Sequence, residues 1–332
     1  MTARRCGRLA GWTVAVALAP VVARAQPARR GPLEVREEFL LAQPRLTLPS
    51  VSPDPLAPGE TRVALGLDWG TDFALRGTEP SLTHFVDGEH RTLAIDVRRG
   101  VTPRLTLGVR APVRWRGAGV LDGLIDGWHR VTGLPDNDRP LYPRDRFVLD
   151  ARDALGRPLA IDQDTGTGLG NVELSGLWAA RPAPQGLAFS LIGRAELPTA
   201  TGPFSGTGAH FGAQAVVAQP LGRTVDVYSG VGATLFARER QAALEYARWR
   251  AHGFATLEWR PARRVSILIE TSAASRLITN IADYPGLQMY LRMGAKLDLG
   301  GRWRLEGGFV EGLASIQSTT DFGIQAGLSR RF

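Results

Sequence analysis

Three side chains that could bind a divalent cation lie in one short stretch of the sequence, "VLDGLIDGWHRV". Asp122, Asp126 and His129 are spaced so that a helix would align them in one row on its surface. Carboxylates and imidazoles are common ligands of divalent metals. A solvated helix face is the commoner explanation of such a row, and we expect neither a metal nor another cofactor. The opposite face of this helix would be apolar and consists of Val120, Leu121, Leu124, Ile125, Trp128 and Val131.

Charged residues in the rest of the chain alternate with apolar ones. In "RLTLGVRAPVRW" every odd position from Leu105 to Trp115 is apolar, whereas Arg110 and Arg114 occupy even positions. Successive side chains of a β-strand point to opposite faces, so one face of each strand would carry the charges. An arginine or lysine in the middle of a lipid bilayer costs about 2 to 4 kcal/mol, so these charges must face water or each other. The residues that we expect to line a pore are Arg110, Arg114, Arg194, Glu196, His210, Arg292, Arg304 and Glu306.

This two-residue period indicates about twelve strands between Thr61 and Phe332. Short links such as "RPAPQG" and "PLGR" alternate with long polar ones, for example residues 70–90 and 117–168. An even strand number with short turns on one side and long loops on the other is typical of bacterial outer-membrane barrels. We therefore predict an all-β fold, a transmembrane antiparallel up-and-down β-barrel with one helix-containing long extracellular loop.

Aromatic residues occur near the predicted strand ends. If both chain ends lie in the periplasm, five of them, including Phe189, would lie near the short turns and two near the long loops. Girdles of aromatic residues at both membrane interfaces are typical of such barrels. The membrane-interface anchors that we expect are Trp178, Trp259, Trp303 and Phe332 on the periplasmic side, and Trp69 and Trp115 on the outer side.

The strands are preceded by two segments of different composition. Residues 1–25 begin with arginines, continue with an apolar run and end on Ala23-Arg24-Ala25, which indicates a secretory signal peptide. Residues 26–60 are rich in proline and would form a periplasmic lead or a plug in the lumen, so that the barrel comprises residues 61–332.

Removal of the signal peptide would change both charge and cysteine content. It would take away four arginines and no acidic residue, lowering the formal net charge from +8 to +4. The one cysteine of the chain, Cys6, would also be lost, which excludes thiolate catalysis in the predicted mature chain. Scattered single basic residues in an exported protein argue against a nucleic-acid partner.

The long loop contains a specific resemblance. Residues 117–147, "GAGVLDGLIDGWHRVTGLPDNDRPLYPRDRF", resemble a loop of uncharacterised bacterial outer-membrane proteins known only as a domain of unknown function. The matching positions are Leu121, Asp122, Ile125, His129, residues 133–135, Arg139 and residues 143–145, and Trp128 stands where that family usually has phenylalanine. The stretch "ELPTATG" is more weakly similar to a strand end of barrel channels for uptake of aromatic compounds. The resemblance implies an outer-membrane barrel without an established activity.

The last residues, "DFGIQAGLSRRF", alternate up to Phe332. This pattern resembles the signal by which the barrel-assembly machinery recognises its substrates, so we expect that machinery and outer-membrane lipid as partners.

The functional hypothesis is a passive channel or transporter for a small solute in the bacterial outer membrane. Two alternatives stay open. One is a non-conducting structural or docking protein of the cell envelope. The other is a lipid-modifying enzyme with His129, His210 or His252 at the barrel rim.

Overall fold

A computed structural model describes residues 29–34, 36, 39–77, 82–133, 139–159, 161, 165–183, 186–313 and 316–332. The predicted signal peptide lies outside these residues. Twelve long strands form the barrel, and we number them in chain order. They are β1 (Thr61–Arg76), β2 (His84–Thr102), β3 (Leu105–Gly117), β4 (Val172–Arg181), β5 (Ala188–Leu197), β6 (His210–Pro220), β7 (Val225–Phe236), β8 (Trp249–Ala262), β9 (Val265–Ser275), β10 (Leu287–Gly300), β11 (Trp303–Gly312) and β12 (Phe322–Arg331).

The barrel is closed by its first and last strands. Each strand pairs antiparallel with its neighbours in the chain, and β3 pairs with β4 across the long loop. β12 then pairs with β1 in a continuous register from Arg62 opposite Arg331 to Thr71 opposite Phe322. No backbone edge is therefore left exposed to lipid, which is the condition for a sheet to span a membrane. The predicted twelve-stranded antiparallel barrel is confirmed.

Smaller elements lie in the long loops. The helix α1 (Asp122–Thr132) is the only α-helix among the described residues, and none of their helices has the length and apolar character to cross a membrane. Three 3-10 helices and five short strands complete the described structure. They are Arg139–Leu141, Gly202–Phe204 and Ile316–Ser318 as 3-10 helices, and Val148–Arg152, Pro158–Leu159, Gly166–Leu169, Arg240–Gln241 and Leu244–Glu245 as strands.

Side chains alternate across the barrel wall as the sequence pattern predicts. On β2, Leu93 and Ile95 are exposed on the outer face, whereas Thr92 is buried on the inner face. Apolar side chains are tolerated outside because lipid, rather than water, is the solvent of that face.

The first hairpin is longer than predicted. Residues 70–90 were expected to form mostly a polar loop, but β1 continues to Arg76 and β2 begins at His84. Both faces of this extension are covered: Phe73 and Val86 are buried, and so is Asp72. The alternation is lost because neither face meets solvent or lipid, and this made the segment look like a loop.

The described residues between 29 and 56 run inside the barrel, and we call them the lumen segment. The ascending leg begins at Arg30, which binds Asp298 near the short turns. The segment then reaches the long-loop end, where the Leu40 amide donates to Asp72. It returns to the short-turn end, where the Leu56 amide donates to Thr106. The predicted lead or plug thus lies in the lumen along its described part.

An apolar cluster closes the long-loop end of the barrel. The apex of the lumen segment, including Phe39 and Leu41, packs there against buried side chains from several loops, such as Leu149, Tyr246 and Ile278. The loops therefore form a packed cap over the barrel mouth.

Candidate functional site

The lumen segment is bound to the barrel wall through buried charges, and Glu173 on β4 is the clearest example. Its carboxylate accepts from Arg194 of β5 and lies 2.7 Å from Nη2 of Arg36 in the lumen segment. Arg36 also donates to the Thr47 carbonyl at 2.8 Å, so it connects the two legs of the segment. One buried carboxylate thereby binds two arginines. Charges that are removed from bulk water need such partners, because the ion pairs offset the lost hydration.

A second contact forms near the cap around His210 of β6. Its Nδ1 lies 2.9 Å from Glu196 of β5, and its Nε2 lies 3.3 Å from the Arg45 guanidinium. Arg45 also stacks on the ring of Tyr246 with 3.8 Å between guanidinium carbon and ring centroid. Arg45 thus joins the lumen segment to both the wall and the cap.

Two further contacts fix the legs at mid-height. Glu270 on β9 accepts from Ser50 of the lumen segment at 2.7 Å and lies 3.3 Å from Arg292 of β10. Lys296 on β10 lies 3.0 Å from Glu306 of β11 and donates to the Pro32 carbonyl at 2.7 Å. In each of these two ion pairs of the wall, one residue also binds the lumen segment: Glu270 in the first pair and Lys296 in the second.

The base of the segment is attached near the short turns. Asp298 at the end of β10 lies 2.7 Å from both Arg304 of β11 and Arg30 of the lumen segment. Arg29 donates to Asp54 at 2.7 Å and thereby joins the two legs.

All eight residues predicted to line a pore face inward, and most of them touch the lumen segment or a group bound to it. Arg114 donates to the Gln43 carbonyl, and Arg110 lines a cavity beside Arg36. Their role toward a solute stays a prediction, because the structure shows their contacts with the chain itself. The sequence analysis did not predict that residues of the lumen segment bind these wall charges. The charged residues of the proline-rich lead could have indicated it, and they include Arg29, Arg30, Glu34, Arg36 and Arg45.

The lumen segment leaves unfilled space near the short turns. Two cavities of about 70 and 100 Å³ lie between it and the wall, and Glu34, Arg62 and Arg98 line both. Cavities of this size with polar linings have room for several water molecules.

The three long-loop candidates do not form a metal site in the structure. Asp122 pairs with Arg139 and accepts from the Asp145 amide at 2.8 Å, and Asp126 pairs with Arg144. Nδ1 of His129 is buried without a hydrogen bond. Within the described part of the chain, no three His, Cys, Asp or Glu side chains are grouped to hold a metal ion.

The predicted division of α1 into an apolar and a polar face is partly wrong. Asp122 and His129 are buried together with Ile125, whereas Leu124 and Val131 are exposed. The reason is a buried ion cluster: Arg139 binds Asp122, Thr71 at 2.9 Å and Asp321 at 2.6 Å. Burial raises the pKa of Asp321 above its ordinary value, while the neighbouring Arg139 acts in the opposite direction.

The predicted interface anchors lie on the outer face of the barrel. Near the short turns, Trp178, Trp259, Trp303 and Phe332 are exposed. Near the long loops, Trp69 and Trp115 are half-buried, and the Arg91 guanidinium lies 4.4 and 4.5 Å from their ring centroids. Their role in the membrane stays a prediction. Arg91 was not among the predicted anchors, although it directly follows the predicted loop of residues 70–90.

Comparison with known proteins assigns the chain to a protein family. Residues 9–332 match the family described as "Protein of unknown function (DUF3187)". The chain belongs to the DUF3187 family. The resemblance seen in the loop sequence is thereby confirmed. None of the curated proteins matches the chain.

Comparison with solved structures finds an outer-membrane channel of similar fold and weaker matches to other proteins. The COG4313 outer membrane channel from Pseudomonas putida F1 is 13% identical, with a TM-score of 0.59 over 85% of this chain and 98% of that one. The NanC porin is 6% identical with a TM-score of 0.44, covering 81% of this chain and 97% of that one. The translocator domain of the autotransporter NalP from Neisseria meningitidis is 10% identical with a TM-score of 0.46, covering 82% and 89%.

The closed barrel with an apolar outer face and the fold of the first of these structures agree with the predicted location. This DUF3187 protein has the fold of a bacterial outer-membrane barrel, and the outer membrane is its location.

Proposed function

We propose that this DUF3187 protein is a passive outer-membrane channel for a small solute, and that the lumen segment is its gate. The observation that carries this proposal is the chemistry of the attachment. Below the cap, buried ion pairs and hydrogen bonds hold the segment to the wall, such as Arg36 to Glu173 and Arg30 to Asp298, beside small apolar contacts at Leu33 and Val51. Water and charged solutes compete for such contacts far better than for an apolar core.

The wall also has groups that keep its charges paired when the segment leaves. Glu173 retains Arg194, and Asp298 retains Arg304. The cavities beside Glu34 provide space from which water can enter. A displaced segment would therefore leave a hydrated, charged lumen, which is the interior expected of a channel.

Loosening the lumen segment should open the barrel. We expect purified protein in planar bilayers to be closed for most of the time, and the double variant Arg30→Gln, Arg36→Gln to show frequent stepwise currents. Both substitutions leave every wall carboxylate with another partner. The matched control is Arg240→Gln, which removes an exposed pair with Glu245 outside the barrel and should conduct like the unaltered protein. If the double variant and a chain lacking residues 29–56 are both silent while correctly folded, the channel proposal is wrong.

A specific observation favours the second candidate, a non-conducting envelope protein. The apex of the lumen segment does not follow the polar pattern of its legs, since Phe39 and Leu41 pack into the apolar cap. A cap of this kind would resist opening. Silent barrels in the experiment above would support this candidate.

The enzyme alternative receives no such support. Among the described residues, His210 binds Glu196 and Arg45, whereas His252 contacts Thr234. His129 lies on α1, so the three histidines have separate environments.

A further inference from the structure

The helix α1 lies against the outer face of the barrel wall. Trp128 packs on Phe309 of β11 and Phe322 of β12, with 5.8 and 6.1 Å between ring centroids. Leu121 and Ile125 belong to the same cluster. Phe322 is on the lipid-facing side of β12 by its alternation with Ile324, yet it is only 7% exposed. The helix therefore replaces lipid as the neighbour of this part of the wall.

The attachment of α1 is specific and fixes its height. Glu89 on the outer face of β2 accepts from the backbone amides of Val120 and Leu121 at the start of the helix and from the Trp69 indole at 2.8 Å. Gly119 lies beside this carboxylate with a φ of +76°, and a Cβ at that position would collide with the Glu89 side chain. Because the carboxylate is fully buried and fully bonded, the helix start cannot shift without loss of charged hydrogen bonds.

The height of α1 falls within the membrane. Phe309, which the helix covers, is six residues after Trp303, the predicted anchor at the short-turn interface. At about 3.3 Å per residue and a strand tilt of about 40°, Phe309 lies roughly 15 Å above Trp303. The apolar band of such barrels is about 25 Å tall, so the helix lies at the upper part of that band.

The face of α1 that points away from the wall is apolar. Leu124 and Val131 on this face are 52% and 85% exposed, and Val120, two residues before the helix, is 66% exposed. This face continues the exposed outer surface of the adjacent strands, represented by Leu67 and Ile324. In water, exposing such a patch would cost roughly 25 cal/mol of free energy for each Å² of apolar surface.

We propose that α1 is an interfacial membrane helix, and that acyl chains of the outer leaflet cover Val120, Leu124 and Val131. Arg130 is exposed beside them and can reach toward lipid phosphates. The helix then extends the barrel's lipid contact at the seam where β12 meets β1. This inference does not depend on whether the barrel conducts.

Lipid-chain quenching tests the position of α1 directly. In a Cys6→Ser background, Leu124→Cys is labelled with an environment-sensitive fluorophore, and the protein is reconstituted in vesicles with brominated acyl chains. We expect at least twofold quenching and a blue-shifted emission. The matched control is Leu155→Cys, which is 76% exposed in a loop turn and should show neither effect.

Two outcomes would overturn the proposal. One is a Leu124 label that is quenched by aqueous iodide but not by brominated lipid. The other is equal lipid quenching at positions 124 and 155. Adding Glu89→Ala removes the acceptor of both amides, so it should release the helix start and reduce lipid quenching at position 124 while the barrel stays folded. Unchanged quenching in that variant would contradict the role of Glu89 in holding the helix.

Discussion

At the scale of single residues, the charges inside the barrel are arranged so that one wall group serves several partners. Glu173 is the strongest case, because it binds both Arg36 and Arg194 in a buried setting. Glu173→Gln would leave two buried arginines without their anion, which costs about 3 to 5 kcal/mol when a buried pair is broken. We expect a clearly lower urea midpoint of unfolding, measured by tryptophan fluorescence in detergent or lipid.

The neighbouring variant Arg36→Gln provides the control for this prediction. It removes the lumen-segment member and leaves the Arg194–Glu173 pair intact, so its loss of stability should be distinctly smaller. Equal midpoints for the two variants would mean that Glu173 does not anchor both arginines.

At the scale of elements, the long loop is attached to the barrel rim by the ion cluster of Arg139, Asp122 and Asp321. Arg139→Gln should release this loop without opening the barrel, because none of the strand pairing depends on it. We expect faster chymotrypsin cleavage within residues 117–147, followed by mass spectrometry. Arg144→Gln is the matched control: Arg144 is exposed, and such surface pairs contribute only about 0 to 1 kcal/mol. Unchanged cleavage in Arg139→Gln would show that the hydrogen bonds of Glu89 and the apolar contacts of α1 hold the loop without this ion cluster.

At the scale of the whole molecule, the barrel and its contents are separable. The pairing of β1 with β12 closes the wall without the lumen segment. A chain that lacks residues 29–56 should therefore still form a heat-modifiable barrel on gels, with a lower unfolding temperature. Cells that carry it should take up large antibiotics which the outer membrane normally excludes. A failure of the shortened chain to form any barrel would mean that the segment is needed to build the wall.

Sequence reasoning predicted the wall well because lipid and the barrel interior impose opposite demands on alternate residues. All twelve predicted strands coincide with observed ones, and "RLTLGVRAPVRW" is β3 almost from end to end. The same reasoning failed for residues 71–76 and 84–90, since both faces of that extension are covered by other parts of the chain. It also misjudged the faces of α1, because Asp122 is buried by a partner, Arg139, that lies 17 positions further along the chain.

The strands, the side of each strand that faces lipid, and the alternation of short turns with long loops can all be predicted from the sequence. These features follow from a local pattern, the alternation of apolar and polar side chains with a period of two residues. What the inward charges bind depends on the tertiary structure, because their partners on the lumen segment are up to 274 positions away in the chain, as for Arg304 and the Arg30 carbonyl. Charge complementarity over such separations leaves no local pattern. The sequence therefore assigned the inward arginines and glutamates to a pore lining but did not show that they hold the chain's own proline-rich segment.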